Sequence, residues 1–141
     1  MNVIEATKSI LESFHDIAGI HIDFSEAAIG SFGLMSTGDE LVSEDILGGQ
    51  NRQHSFFLYC VYSAVNDYER MANSGFLTAL SQWLDGYAEE HDTPVTAVNG
   101  SGHIEKLTAR DGMLFEIPDE AGAVVGWRYQ LRIITRYTIE T

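Results

Sequence analysis

Residues 124–139 read VVGWRYQLRIITRYTI. Trp127, Tyr129, Leu131, Ile133 and Tyr137 share one parity, while Arg128, Gln130, Arg132 and Arg136 share the other. Successive side chains of a strand point to opposite faces. The pattern therefore predicts a long final strand over 124–139, with an apolar side turned to a core and a basic row on the reverse. Upstream, the segment from Gly102 reads as a meander. Residues 103–109 form a strand, Asp111-Gly112 a tight hairpin, 113–117 the return strand, and Pro118 to Gly122 a further turn. Farther upstream, residues 54–62 are nearly all aromatic or apolar. Such a run reads as a central strand covered on both faces. Gly48-Gly49 marks the turn before it, and residues 27–46, with Gly30, Gly33 and Gly38, read as one or two irregular strands.

Two segments have helical period. Val3, Ala6, Ile10, Phe14 and Ile17 recur on one face, with Leu11 widening it, until Gly19 ends the helix. Ile20, Ile22 and Phe24 then alternate with His21 and Asp23 as a half-buried strand would. In the second helical segment Tyr68, Ala72, Phe76, Leu80, Trp83 and Tyr87 share a face, with Leu84 beside it. Gly75 costs a helix about 1 kcal/mol relative to Ala. Asn73-Ser74-Gly75 is thus expected to separate a short helix from a longer one capped by Ser74, with Trp83 buried against the sheet. The fold class expected is α+β: a single domain over residues 1–141, with two main helices on a largely antiparallel, or mixed, sheet.

Composition narrows the function. The chain has 141 residues, 45% of them apolar, enough for one folded core. Twenty-one acids against eight bases give a net charge of -13, which would repel phosphates over most of the surface. Specific nucleic-acid binding is not expected, and neither is a membrane span, since no run nears the ~18 apolar residues needed. The first residues, MNVIEATKSILESFHD, lack the basic start and small-residue cleavage site of a signal peptide. Cys60, the single cysteine, lies in the apolar run SFFLYCVYS and reads as core packing in a cytosolic protein.

Motifs for catalysis are missing. HExxH, paired CxxC, GxSxG, HHxxxDG and GxxxxGK[ST] do not occur. His21 and Asp23 would share a strand face, but nothing nearby in sequence completes a metal site. Gly100-Ser101-Gly102 follows no strand-to-helix signature and reads as a loop. No catalytic, cofactor-binding or metal-binding residues are assigned, no cofactor is expected, and the chain is expected not to be an enzyme. The concentrated basic feature is the row Arg128, Arg132 and Arg136. It either pairs with the protein's own acids across adjacent strands or meets an acidic patch of a neighbouring subunit.

An ordered set of short motifs adds a resemblance. These are Arg52-Gln53, Asn73-Ser74-Gly75-Phe76, Trp83-Leu84, Ile104-Glu105-x-Leu107-Thr108, Gly112-x-Leu114-Phe115-Glu116 and Arg128-Tyr129-Gln130. In this order and spacing the chain resembles a family of small phage and prophage proteins from the head-tail region, assigned as minor capsid or tail-terminator proteins. The likeness spans residues 50–139 and the first helix, and is poor over 25–48. Leu77-Thr78-Ala79 departs from the family's usual Tyr-acid pair, and the last strand diverges after Arg128-Tyr129-Gln130. The resemblance implies a structural virion protein that forms a ring with itself, as a hexamer. Such a ring caps the tail-tube protein, stops tube growth and meets the head connector proteins. The expected location is the host bacterial cytoplasm during assembly, then the virion tail or head-tail junction. A head-completion or minor capsid protein of the connector is the alternative within that class. A small-ligand binding module, using an aromatic pocket between Phe76, Trp83 and the sheet, is an alternative outside it.

Overall fold

The computed structural model of the protein describes residues 1–15, 17, 19–23, 30–62, 67–116 and 127–140, with backbone alone at 67–70, 115 and 116. The elements run α1 (Val3–Glu12), β1 (Ile20–Ile22), β2 (Phe32–Glu44), β3 (Gln50–Tyr62), α2 (Asp67–Asp85), α3 (Tyr87–Glu90), β4 (Pro94–Ala97), β5 (Gly100–Glu116) and β6 (Trp127–Ile139). The strands form one sheet in the order β1-β2-β3-β6-β5-β4. It is mixed, because β1 runs parallel to β2 while every other neighbouring pair is antiparallel. The α+β expectation holds, and no helix of the described residues is long and apolar enough to cross a membrane.

The final strand sets the layers. Tyr129, Leu131, Ile133, Tyr137 and Ile139 are buried, while Arg132 and Arg136 are exposed. β6 lies in the middle of the sheet, paired along its length with β3 on one side and β5 on the other. Both main helices pack on its apolar side, α2 along β5 and α1 across β4 and β6. Asn2 and Glu5 form a capping box that starts α1. Its buried face includes Thr7, whose hydroxyl meets that of Thr135 on β6 at 2.9 Å. Phe14 and Ile17 are buried as expected but lie beyond the helix, which stops at Glu12. Ile22 is exposed rather than alternating into the core, and Phe24 lies outside the described residues.

Four local readings are corrected. First, α2 is continuous through Gly75, and the break falls at Gly86. Gly75 is exposed to open space, and Ser74 accepts at its carbonyl from Thr78 Oγ1 instead of capping. The cost of one glycine, about 1 kcal/mol, is small beside the roughly 1.5–3 kcal/mol gained by burying each of Leu77, Leu80 and Leu84. Second, Asp111-Gly112 is a bulge, not a hairpin. Asp111 has φ +58, and the register jumps from Arg110↔Arg132 to Met113↔Gln130, so one extra residue fits opposite β6. Left-handed Asp-Gly chemistry serves a hairpin turn or a bulge equally, and here β6 is long enough to pair with both halves.

Third, Gly100-Ser101-Gly102 opens β5 rather than forming a loop. A Cβ on Gly102 would sit 1.9 Å from the Thr138 carbonyl oxygen, so glycine is what lets the two strands approach. Fourth, β3 is central, but its reverse face is covered only in part, with Val61 buried there. His54, Phe56, Leu58 and Cys60 are buried beneath the helices, whereas Ser55, Phe57 and Tyr59 are half-buried on the reverse. Burial pushes the Cys60 thiol up to about 12, as befits packing rather than reactivity. The residue 27–46 region contains one long strand, β2, with bulges after Ser36 and Leu41. The expected turn at 118–122 and residues 124–126 lie outside the described residues.

Candidate functional site

The reverse face of the sheet is the candidate site. No described helix or strand packs on it. The register places Gln53, Ser55 and Phe57 of β3 beside Arg136, Ile134 and Arg132 of β6. On the far side of β6, Lys106 faces Arg136 and Arg110 faces Arg132. Four of the chain's eight lysines and arginines are thus exposed on this one face, and Arg128, of the same parity as Arg132 and Arg136, is half-buried opposite Glu116. The sequence row thus holds Arg128, Arg132 and Arg136 on one face, and the register adds Lys106 and Arg110. These two escaped sequence reading because the Asp111-Gly112 bulge hides which parity of β5 faces Arg132.

Across β5, Arg128 stands opposite Glu116, whereas Arg132 and Arg136 stand opposite Arg110 and Lys106, so pairing with acids on that strand does not account for Arg132 and Arg136. Among the described residues, Lys106, Arg110, Arg132 and Arg136 form no ion pair. Arg136 Nε donates to Gln53 Oε1 at 3.3 Å, and the Arg132 guanidinium lies 6.0 Å from the Phe57 ring centroid. Like charges set directly opposite on neighbouring strands destabilise a sheet. Between them lies a shallow groove of about 200 Å³, with Ile134 as its apolar floor, Gln53 and Thr108 as walls, and Lys106, Arg110 and Arg136 around the rim. Arg110→Thr is accordingly expected to leave the fold unharmed, or to stabilise it by about 0.2–1 kcal/mol at low ionic strength. Any gain should fade at high salt. Urea titrations at two salt concentrations measure this, and a loss above 1 kcal/mol would show that Arg110 has a stabilising partner.

The β2–β3 hairpin carries the second polar cluster, on the helix side of the sheet. Asp39 Oδ1 accepts from Arg52 Nε at 2.7 Å, and Asp39 Oδ2 accepts from Tyr137 Oη at 2.5 Å and His54 Nδ1 at 3.0 Å. His54 Nε2 meets Ser36 Oγ. Burial, the largest single influence, raises the Asp39 carboxyl pKa, but hydrogen bonds from Tyr137, Arg52 and His54 outweigh it and hold the group below its ordinary value. Burial and the neighbouring carboxylate push Tyr137 up to about 12.

The order Ser36–His54–Asp39 is that of a nucleophile, base and orienting acid, and no sequence motif announces it. A serine nucleophile needs a substrate cavity beside it. Two grooves adjoin this cluster, one lined by Val42, Ser43, Asn51, Arg52, Glu105, Arg136 and Tyr137 and one lined by Asp39, Glu40, Gln53 and Arg132 among others, and neither is lined by Ser36 or His54. The cluster does mechanical work instead: Asp39 ties β2 to β3 and, through Tyr137, to β6.

The hairpin ends in a well-formed turn. Asp45 Oδ1 accepts from the amides of Leu47 and Gly49, Asp45 N donates to Gly49 O, and Gly48 takes φ +89. Ile46 and Leu47 are 99% and 88% exposed on it. The aromatic pocket expected near Phe76 and Trp83 is filled by rings. Phe14 lies 5.0 Å from Trp83 and 5.6 Å from Phe76, and Tyr62 lies 5.9 Å from Phe76. His21 and Asp23 belong to no metal-binding group among the described residues. No protein-family model matches the chain, and no curated protein matches it.

Proposed function

We propose that the chain is a ring-forming structural protein of a phage virion, a tail terminator that caps the tail tube and meets the head connector. The observation that carries this reading is the set of exposed, mutually opposed cations Lys106, Arg110, Arg132 and Arg136, on a sheet face that no described helix or strand covers, in a chain of net charge -13. Exposed cations set opposite one another on neighbouring strands work against the stability of the sheet and suit an acidic partner. The acidic remainder of its own surface is such a partner. The ordered motifs shared with tail-terminator-like proteins support the same role, because a ring on a tube is how those proteins act. Its partners are then further copies of itself, the tube protein and connector proteins, and its chemistry requires no cofactor.

Self-repulsion at net charge -13 opposes assembly in dilute, low-salt solution. Moderate salt, with a Debye length near ~10 Å at 0.1 M, relieves long-range repulsion while a desolvated contact is screened less. Light scattering across salt, with and without tail tubes, is expected to show a closed oligomer at intermediate ionic strength or on the tubes. Deleting the gene should leave heads and unjoined tails of irregular length. Tails of normal length joined to heads in the deletion strain would overturn the terminator role.

A further inference from the structure

We infer that the tip of the β2–β3 hairpin of one copy docks into the groove between Lys106, Arg110 and Arg136 of a second copy. This inference rests on the ring reading and names the two surfaces that meet.

The tip holds Ile46 and Leu47 in water on an ordered turn, beside Glu44 and Asp45. Single exposed aliphatic residues are ordinary, but two adjacent ones presented by a hydrogen-bonded turn are not required by the fold. The neighbouring β4–β5 turn adds the exposed Val98, and Asn99 Nδ2 ties it to Gln50 Oε1 at 3.3 Å. One end of the sheet is thus apolar and edged with carboxylates.

The groove is its complement. A cavity of about 150 Å³ holds benzene, so a volume of about 200 Å³ accepts one branched aliphatic side chain. Ile134 forms the floor for that side chain, and the three cations of the rim receive the flanking carboxylates. The contact cannot form within one chain. Gln50 at the base of the tip pairs with Ile139 at the end of β6, so the tip projects past the sheet. The groove lies back along the same ladder, around Ile134 and Arg136. Two different patches that meet between copies make a heterologous contact, which either closes into a ring or grows as a filament.

The experiment uses the full chain. A tip variant (Ile46→Asp with Leu47→Asp) changes residues that are nearly fully exposed, and a face variant (Arg110→Glu with Arg136→Glu) changes exposed side chains. Circular dichroism and urea titration confirm that both fold. Each is expected to raise the concentration for half-assembly at least about 30-fold in light scattering, the loss of one interface anchor. Mixed at equal concentration, the two should form a heterodimer and nothing larger, since the mixture contains one intact tip and one intact groove. Assembly of either variant like the parent would overturn the contact while leaving the ring reading intact. Failure of the mixture to pair would show that tip and groove do not meet, with the same consequence. Normal self-assembly with loss of tube binding in the tip variant would make the tube protein the tip's occupant, overturning the second copy. A parent chain that stays monomeric at every salt concentration, tubes included, would remove the ring reading and this contact together.

Discussion

Phe56→Ala is expected to lower the free energy of unfolding by about 3–5 kcal/mol. Phe56 is fully buried on β3, opposite Ile133 of β6 and Ser36 of β2, with its ring 4.6 Å from that of His54. The ring is fully enclosed in a paired central strand, so truncation leaves a cavity that the close-packed interior cannot readily fill. With a urea dependence of about 2 kcal/mol per molar, the midpoint should fall by roughly 2 M. Trp83→Ala is the informative contrast. The sequence stripe places Trp83 buried against the sheet, but it is half-buried and packs on Phe14 and Tyr87 near the end of α1. Its loss should cost about 2 kcal/mol, because part of the indole never leaves water. Equal costs for the two variants would mean that the Trp83 face is covered in solution.

The contrast shows where periodicity informs and where it misleads. Alternation in β6 reads correctly because both sides of that strand are decided by one contrast, core against open face. The all-apolar run of β3 reads only in part, because on the reverse face Val61 is buried while Phe57 and Tyr59 are half-buried. Their aromatic surfaces serve the open face, where Phe57 lies beneath the Arg132 guanidinium. Turn chemistry misleads at Asp111-Gly112 and at Asn73-Ser74-Gly75 for a shared reason. A local preference of about 1 kcal/mol yields to an uninterrupted partner, β6 in one case and the core face of α2 in the other. β4 left no signal, being a four-residue edge strand with only Val95 buried.

The candidate site was legible in half. Arg128, Arg132 and Arg136 declare a shared face by parity alone. That Arg132 and Arg136 stand opposite Arg110 and Lys106, while Arg128 stands opposite Glu116, depends on a register no single strand encodes. The Asp39 cluster was not legible at all. Its five members come from three strands, and Tyr137 is 98 residues from Asp39. The bulge between Ser36 and Gly38 puts both Ser36 and Asp39 on the side of His54, where strict alternation would separate them.

Asp39→Asn is expected to destabilise the protein by about 2–3 kcal/mol, through loss of charge-assisted hydrogen bonds from Arg52, Tyr137 and His54. The figure stays below that of a fully buried ion pair because the Asp39 and Arg52 side chains remain about a quarter exposed. The pH dependence follows from the direction of the carboxyl's shift. Burial raises it, the three hydrogen bonds and the Arg52 charge lower it further, and the net value in the folded chain lies below the ordinary one. A carboxyl with a lower folded than unfolded pKa binds fewer protons when folded, so it stabilises fully above its unfolded value near 4. That contribution declines as pH falls through the folded value. The stability gap between parent and Asp39→Asn should therefore be fully present above the unfolded value of about 4 and close progressively as the pH falls below it. Urea midpoints on both sides of that value measure it, and a gap independent of pH would show that the carboxylate charge plays no part. The same variant separates bracing from contact. Asp39 joins the hairpin to Tyr137 on β6 and leaves Ile46, Leu47 and the groove unaltered. If the hairpin tip is what one subunit offers the next, loosening its base should weaken assembly while the mixed pairing of tip and face variants still forms. Weakened assembly would then come from lost preorganisation rather than from a lost contact.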